Sequence, residues 1–78
     1  MVLHDRLWRY HVRLSAGEVE EDLSPDEREQ VSYLLGFAIS ILSVYGATDT
    51  ETLVRMSIDR QRYSARVCDR VAQIIREA

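Results

Sequence analysis

Two histidines and one cysteine are the side chains in this sequence best suited to metal binding or nucleophilic catalysis. His4 and His11 are seven residues apart and share one face of a helix, but the sequence offers no third ligand in a zinc-binding pattern. Cys68 is the only cysteine, and it occurs at core spacing among apolar residues, which is typical of a buried structural thiol. A glycine-rich phosphate loop and a nucleophile elbow are both absent from the sequence. We therefore predict no metal site, no cofactor and no catalytic site.

Arginine supplies all ten basic side chains, and its planar guanidinium is well suited to contact phosphates or carboxylates. Six arginines lie between residues 52 and 76, whereas seven carboxylates lie between residues 18 and 29. The candidate surfaces for a charged partner are Arg55, Arg62, Arg66, Arg70, Glu18, Glu20, Glu21 and Asp22. A net charge of −3 and two aspartates within the arginine row disfavour nucleic acid. We expect the acidic segment to pair with the arginines inside the chain; alternatively, it mimics a polyanion toward a basic partner.

A long helix is predicted from about residue 25 to residue 45. The run Ser-Pro-Asp-Glu that begins at Ser24 is a capping box, and Gly46 can adopt the left-handed conformation that ends a helix. Residues 31–45 carry no charge but span only roughly 22 Å, less than the ~30 Å of a bilayer core. We predict a buried central helix and no membrane span. A strip of small residues along it is either a groove for another helix or a solvent-facing edge: Ser32, Gly36, Ser40 and Ser43.

A second long helix is predicted from about residue 49 to residue 77. Thr48 or Asp49 can cap its start, and neither proline nor glycine follows. Apolar residues recur at helical spacing along its whole length. Arg60 falls near the middle of that apolar face, where a charge must be paired or must point into an interface. Arg60 is therefore predicted to be an interface residue.

The first segment of the chain allows two interpretations. Apolar residues recur there at the 4-3-4 spacing of an amphipathic helix, and Gly17 can end such a helix. Residues 8–14 also alternate between apolar and basic side chains, as in a strand that would have to pair across a dimer. The rest of the chain supplies no second strand. We therefore favour a helix over about residues 2–15, followed by an acidic linker over about residues 16–23.

Together these elements predict one all-α domain over residues 1–78, a small three-helix unit with a long antiparallel C-terminal helical hairpin. In that hairpin the last helix extends beyond the apolar part of the central helix. The first helix is too short to cover both this extension and the central helix. A second copy of the chain or a different protein is the expected cover, so we predict a helical homodimer. The predicted interface residues are Ser32, Gly36, Ser40, Arg60, Tyr63, Val67, Val71, Ile74 and Ile75.

The functional prediction is a small protein that binds another protein and acts as a regulator, adaptor or inhibitor of it. Its size, its acidic charge and its lack of lysine suit a protein encoded by a phage or a mobile element. The single cysteine and an N-terminus without a signal-peptide pattern favour the cytoplasm. The alternative is a dimeric DNA-binding transcriptional regulator that uses the arginine-rich helix or an N-terminal ribbon.

Overall fold

Four α-helices make up the fold over residues 2–46 and 49–78, which the computed structural model describes. They are α1 (Val2–Ser15), α2 (Pro25–Tyr45), α3 (Thr50–Ser57) and α4 (Ala65–Glu77). These residues contain no strand, so the all-α prediction is confirmed and the first segment is a helix. The central helix is α2, which packs against each of the other three.

The ends of α1 and α2 follow from local backbone signals. α1 stops at Gly17, whose φ of 78° lets the amides of Gly17 and Glu18 turn back onto the carbonyls of Leu14 and Arg13, both at 3.0 Å. The capping box at Ser24 forms as predicted, because Glu27 N–H donates to the serine hydroxyl and the carboxylate of Glu27 accepts from Ser24 N–H.

The predicted helix over about residues 49–77 is wrong, because the chain leaves the helical conformation between α3 and α4. Ile58 has extended backbone angles, and the carboxylate of Asp59 accepts from the amides of Gln61 and Arg62 at 3.1 and 3.2 Å. Ser64 then caps α4 by accepting from Val67 N–H at 3.2 Å. Such side-chain bonds to nearby amides compete with the helical ladder, so a chain can turn without proline or glycine. The alternative cap Thr48 lies outside the described residues, and Asp49 caps α3.

A single core lies between the four helices and includes one residue of the linker. The enclosed side chains come from α1, α2, α3, α4 and the buried Leu23. The Cα radius of gyration is 11.5 Å, and a folded chain of this length is expected to have roughly that value. No helix therefore projects away from the others. Among the described residues, no helix has both the length and the apolar content needed to cross a bilayer.

Candidate protein-binding surface

The acidic linker between α1 and α2 lies against α4, where Arg70 holds two of its carboxylates. Arg70 donates to the two oxygens of Asp22 at 2.9 and 2.6 Å and also to one oxygen of Glu20. The other oxygen of Glu20 accepts from the hydroxyl of Tyr10 on α1 at 2.5 Å. Glu20 has a side chain only 9% exposed and a φ of 57°, a left-handed conformation that is uncommon outside glycine. These contacts fasten the linker to both α1 and α4.

The electrostatics of this cluster favour the charged form of Asp22. Hydrogen bonds from Arg70 lower the pKa of Asp22 from 3.8 to about 2, and the same contacts raise the pKa of Arg70. Burial raises the pKa of the Tyr10 hydroxyl, and the neighbouring Glu20 carboxylate raises it further. Tyr10 thus keeps its proton at neutral pH and donates a hydrogen bond to Glu20. A cleft of about 400 Å³ adjoins the cluster, but its buried polar groups already bond one another, so we assign it no ligand.

Arg66 extends the same pairing by one helical turn. Its guanidinium donates to the backbone carbonyl of Asp22 at 3.1 Å and lies 3.0 Å from the carboxylate of Glu27 at the start of α2. The expected pairing of acidic and arginine-rich segments inside the chain is therefore confirmed for Arg66 and Arg70. Glu18 and Glu21 of the acidic run are exposed. Binding of a basic partner by that run stays a prediction.

The other predicted arginine sites belong to α3 and to the turn before α4, because the helix is broken. Arg60 is in the turn before α4 with a side chain 58% exposed, and it pairs with Asp69 at 3.1 Å. Its predicted place within an apolar face is therefore wrong. Arg62 lies 3.9 Å from Asp59, and Arg55 donates to the Thr52 hydroxyl at 3.4 Å. The predicted row of arginines therefore does not lie on one helix.

The apolar residues predicted as an uncovered interface on the last helix are enclosed within a single chain. Val67, Val71 and Ile75 are 0% exposed and Ile74 is 6% exposed, while Tyr63 is partly buried against the core. The prediction assumed a straight helix that overhangs its neighbour, whereas the turn at residues 58–64 brings α4 back onto α2. The four α4 residues therefore offer no surface to a second chain, and the physical argument for a dimer through α4 fails. Tyr63 lies before α4 and stays partly exposed.

The strip of small residues on α2 is mainly a contact with α1 of the same chain. Ser32 Oγ lies 3.0 Å from His11 Nε2, and Ser43 Oγ lies 3.1 Å from His4 Nε2. A Cβ atom added at Gly36 would lie 3.8 Å from His11 Nε2, so the glycine sits directly beneath that ring. Both histidines thus contact serines. Within residues 2–46 and 49–78, no group of three or more His, Cys, Asp or Glu side chains could hold a metal ion.

Beside this contact, α1 presents an exposed aromatic side chain. Trp8 is 52% exposed and stacks on His11, with ring centroids 5.9 Å apart and ring planes 15° apart. His11 in turn lies against α2, so Trp8 stands at the border between the two helices. Among the described residues, α1 also carries three exposed arginines without an ion-pair partner, namely Arg6, Arg9 and Arg13.

The outer side of α2 continues this apolar surface. Tyr33, Phe37 and Val44 are 65%, 48% and 76% exposed, and with Ser40 they recur at the 4-3-4 spacing of one helix face. A shallow depression of about 360 Å³ beside Phe37 and Gly36 also touches His11, which joins the strip to α1. We call Trp8, Tyr33, Phe37, Ser40 and Val44 together the aromatic face. Of these residues, the sequence-based interface included only Ser40.

The sequence did contain one signal for this face. Residues 31–45 are uncharged on every side of the helix, so they hold more apolar surface than a helix with one buried face requires. Which side stays open depends on how α1, α3 and α4 pack.

A comparison with known proteins finds no matching family model, no matching curated protein and no matching solved structure.

Proposed function

We propose that this protein acts by binding another polypeptide through the aromatic face, as a small regulator, adaptor or inhibitor of a larger protein. The observation that supports this is the exposure of Trp8, Tyr33, Phe37 and Val44, each at 48% or more, on two neighbouring helices of a chain with an otherwise enclosed core. Contiguous apolar patches of this kind on small proteins commonly mark binding surfaces. Tryptophan and tyrosine are also the residue types that contribute most binding energy at interfaces.

The predicted homodimer belongs to this proposal, with a different contact from the one that the sequence suggested. The apolar side of α4 is buried in the core, whereas the aromatic face is exposed to solvent. Any partner, including a second copy, therefore has α2 and the Trp8 side of α1 as its contact surface.

The test is capture of partners from an extract of the native cell by the immobilised wild-type chain and two variants. Phe37→Ser removes the centre of the aromatic face, and Val2→Ser removes an even more exposed apolar side chain outside it. We expect a partner that Val2→Ser retains and Phe37→Ser loses. Equal capture by all three proteins would contradict the proposal. Trp8 is the only tryptophan, so a blue shift of its fluorescence reports burial of the face in the purified complex.

A DNA-binding regulator is the second candidate, and the exposed Arg6, Arg9 and Arg13 of α1 favour it. The version that uses the arginine-rich helix has lost support, because Arg66 and Arg70 are engaged by carboxylates of the same chain. Phosphate contacts give an affinity that falls steeply with salt. Titration with duplex DNA at low and raised salt tests this candidate, and absence of binding at low salt would eliminate it.

A further inference from the structure

We infer that a second copy of this chain fits the aromatic face, with the two α2 helices antiparallel and Phe37 of each copy packed over Ser40 of the other. This inference rests on the proposed function, because it names the first polypeptide that the face accommodates. It shares Ser40 with the interface predicted from the sequence, but it uses none of the α4 residues of that prediction.

The first argument is the order of side-chain sizes along α2. Tyr33, Phe37, Ser40 and Val44 follow a 4-3-4 spacing, which reads the same in both directions along the helix. Reversing one helix about the midpoint of the strip places Tyr33 against Val44 and Phe37 against Ser40. Each large ring then faces a smaller side chain, as close packing requires. In a parallel pair in the same register, Phe37 would face Phe37 and Ser40 would face Ser40. The two rings would then crowd each other, and a gap would remain between the two serines.

The second argument is that covering this strip buries no charge and leaves the Ser40 hydroxyl with the partner it already has. Residues 31–45 include no charge, so the pair encloses no isolated ion. The hydroxyl of Ser40 already donates to the carbonyl of Gly36 at 3.1 Å within its own helix. Burying Ser40 under the ring of Phe37 therefore breaks no hydrogen bond to the protein.

The third argument is the position of Trp8. His4 contacts Ser43 and His11 contacts Ser32, so α1 runs antiparallel to α2. Trp8 lies between the two histidines in sequence and is thus level with the middle of the α2 strip. In an antiparallel pair of α2 helices this position is close to the two-fold axis. The two tryptophans then flank the axis and become covered together.

The size of the face fits a weak, reversible dimer. Aromatic side chains bury about 150–250 Å² each when enclosed, so the half-exposed rings and Val44 still offer about 400 Å² of apolar area. A stable interface buries about 800 Å² per partner, of which a little over half is apolar. The aromatic face supplies nearly all of that apolar share. Pairing then covers the surface proposed for other proteins, so the two associations exclude each other.

Sedimentation equilibrium over micromolar to millimolar protein is the first test. We expect the average mass of the wild-type chain to rise from 9.1 kDa toward twice that value. Phe37→Ser should stay at the mass of one chain, and Val2→Ser should behave as the wild type. Circular dichroism checks that each variant is folded, and Tyr33→Ser replaces Phe37→Ser if the latter unfolds. A wild-type chain that remains monomeric at millimolar concentration would overturn the inference.

The orientation of the helices is measured with a spin label on Asp26→Cys, which lies about two helical turns before Tyr33 in α2. Cys68 is fully buried, so the unmutated chain serves as the unlabelled control. Antiparallel α2 helices place the two labels about 37 Å apart along the helix axis. A parallel pair places them about 10 Å apart, which would overturn the proposed arrangement.

The outcomes separate this inference from the proposed function. If the wild type is monomeric but Phe37→Ser still loses a captured protein, the face binds other proteins and the dimer is wrong. If the mass doubles and capture is the same for all variants, the dimer stands and the wider binding function is wrong.

Discussion

Along α4 the side chains of this protein find their partners within the same chain, whereas along the outer side of α2 they do not. Arg66 and Arg70 hold the carboxylates of the linker, and the apolar residues of α4 are enclosed. On α2, Tyr33, Phe37 and Val44 face solvent. One short linker thus supplies partners to α4, whereas the described residues leave the outer side of α2 exposed.

The largest expected effect comes from one substitution made on both sides. Val71→Ala in α4 removes two buried methyl groups and leaves a cavity, so we expect a loss of about 2.5 kcal/mol in the free energy of unfolding. Val44→Ala on α2 should change that free energy by less than about 0.5 kcal/mol. Urea denaturation of dilute protein measures both. Similar losses at the two positions would contradict the contrast between the two sides.

Arg70→Met should give the next largest effect. It leaves the nearly buried Glu20 without its cation, and we expect a loss of about 1.5 kcal/mol in the free energy of unfolding. Arg62→Met is the matched control, because that guanidinium is 74% exposed and lies 3.9 Å from Asp59. A change no larger than in the control would show that the contacts of Arg70 do not stabilise the linker.

The sequence predicts the parts of the fold that depend on local backbone signals. Gly17, Ser24 and Gly46 mark helix ends because their conformations or caps are specific to those positions. The segregated charges likewise predict the pairing of Arg66 and Arg70 with the linker. Such features need no knowledge of the tertiary arrangement.

The turn between α3 and α4 and the aromatic face could not be predicted in the same way. The side chains of Asp59 and Ser64 interrupt the helix by accepting hydrogen bonds from nearby amides. Aspartate and serine are also common on solvated helix faces, so their presence in the sequence does not by itself indicate a turn. Treating this stretch as helix placed Arg60 in an apolar face and left α4 uncovered. That single error added enclosed residues of α4 to the predicted interface.

The acid sensitivity of the linker sharpens the comparison further. The pKa of Asp22 is lowered from 3.8 to about 2 in the folded chain by hydrogen bonds from Arg70. A lowered folded-state pKa contributes stability that is present above the unfolded-state value and is lost as the pH falls toward the folded-state value. The free energy of unfolding should therefore decrease between about pH 4 and pH 2. Asp22→Asn should have a shallower pH dependence in that window, and identical profiles would contradict the role of this carboxylate.

The smallest expected effect has the opposite sign and concerns the contact between α1 and α2. Gly36→Ala adds a Cβ 3.8 Å from His11 Nε2, an ordinary contact distance, and alanine favours a helix over glycine. We therefore expect a gain of about 0.7 kcal/mol in the free energy of unfolding. Gly46→Ala is the matched control, because its φ of 72° strains any side chain and should cost about 1 kcal/mol although nothing lies near its Cβ position. If Gly36→Ala is also destabilising, α1 approaches α2 too closely for a methyl group, and the strip of small residues is a tight helix contact rather than a permissive one.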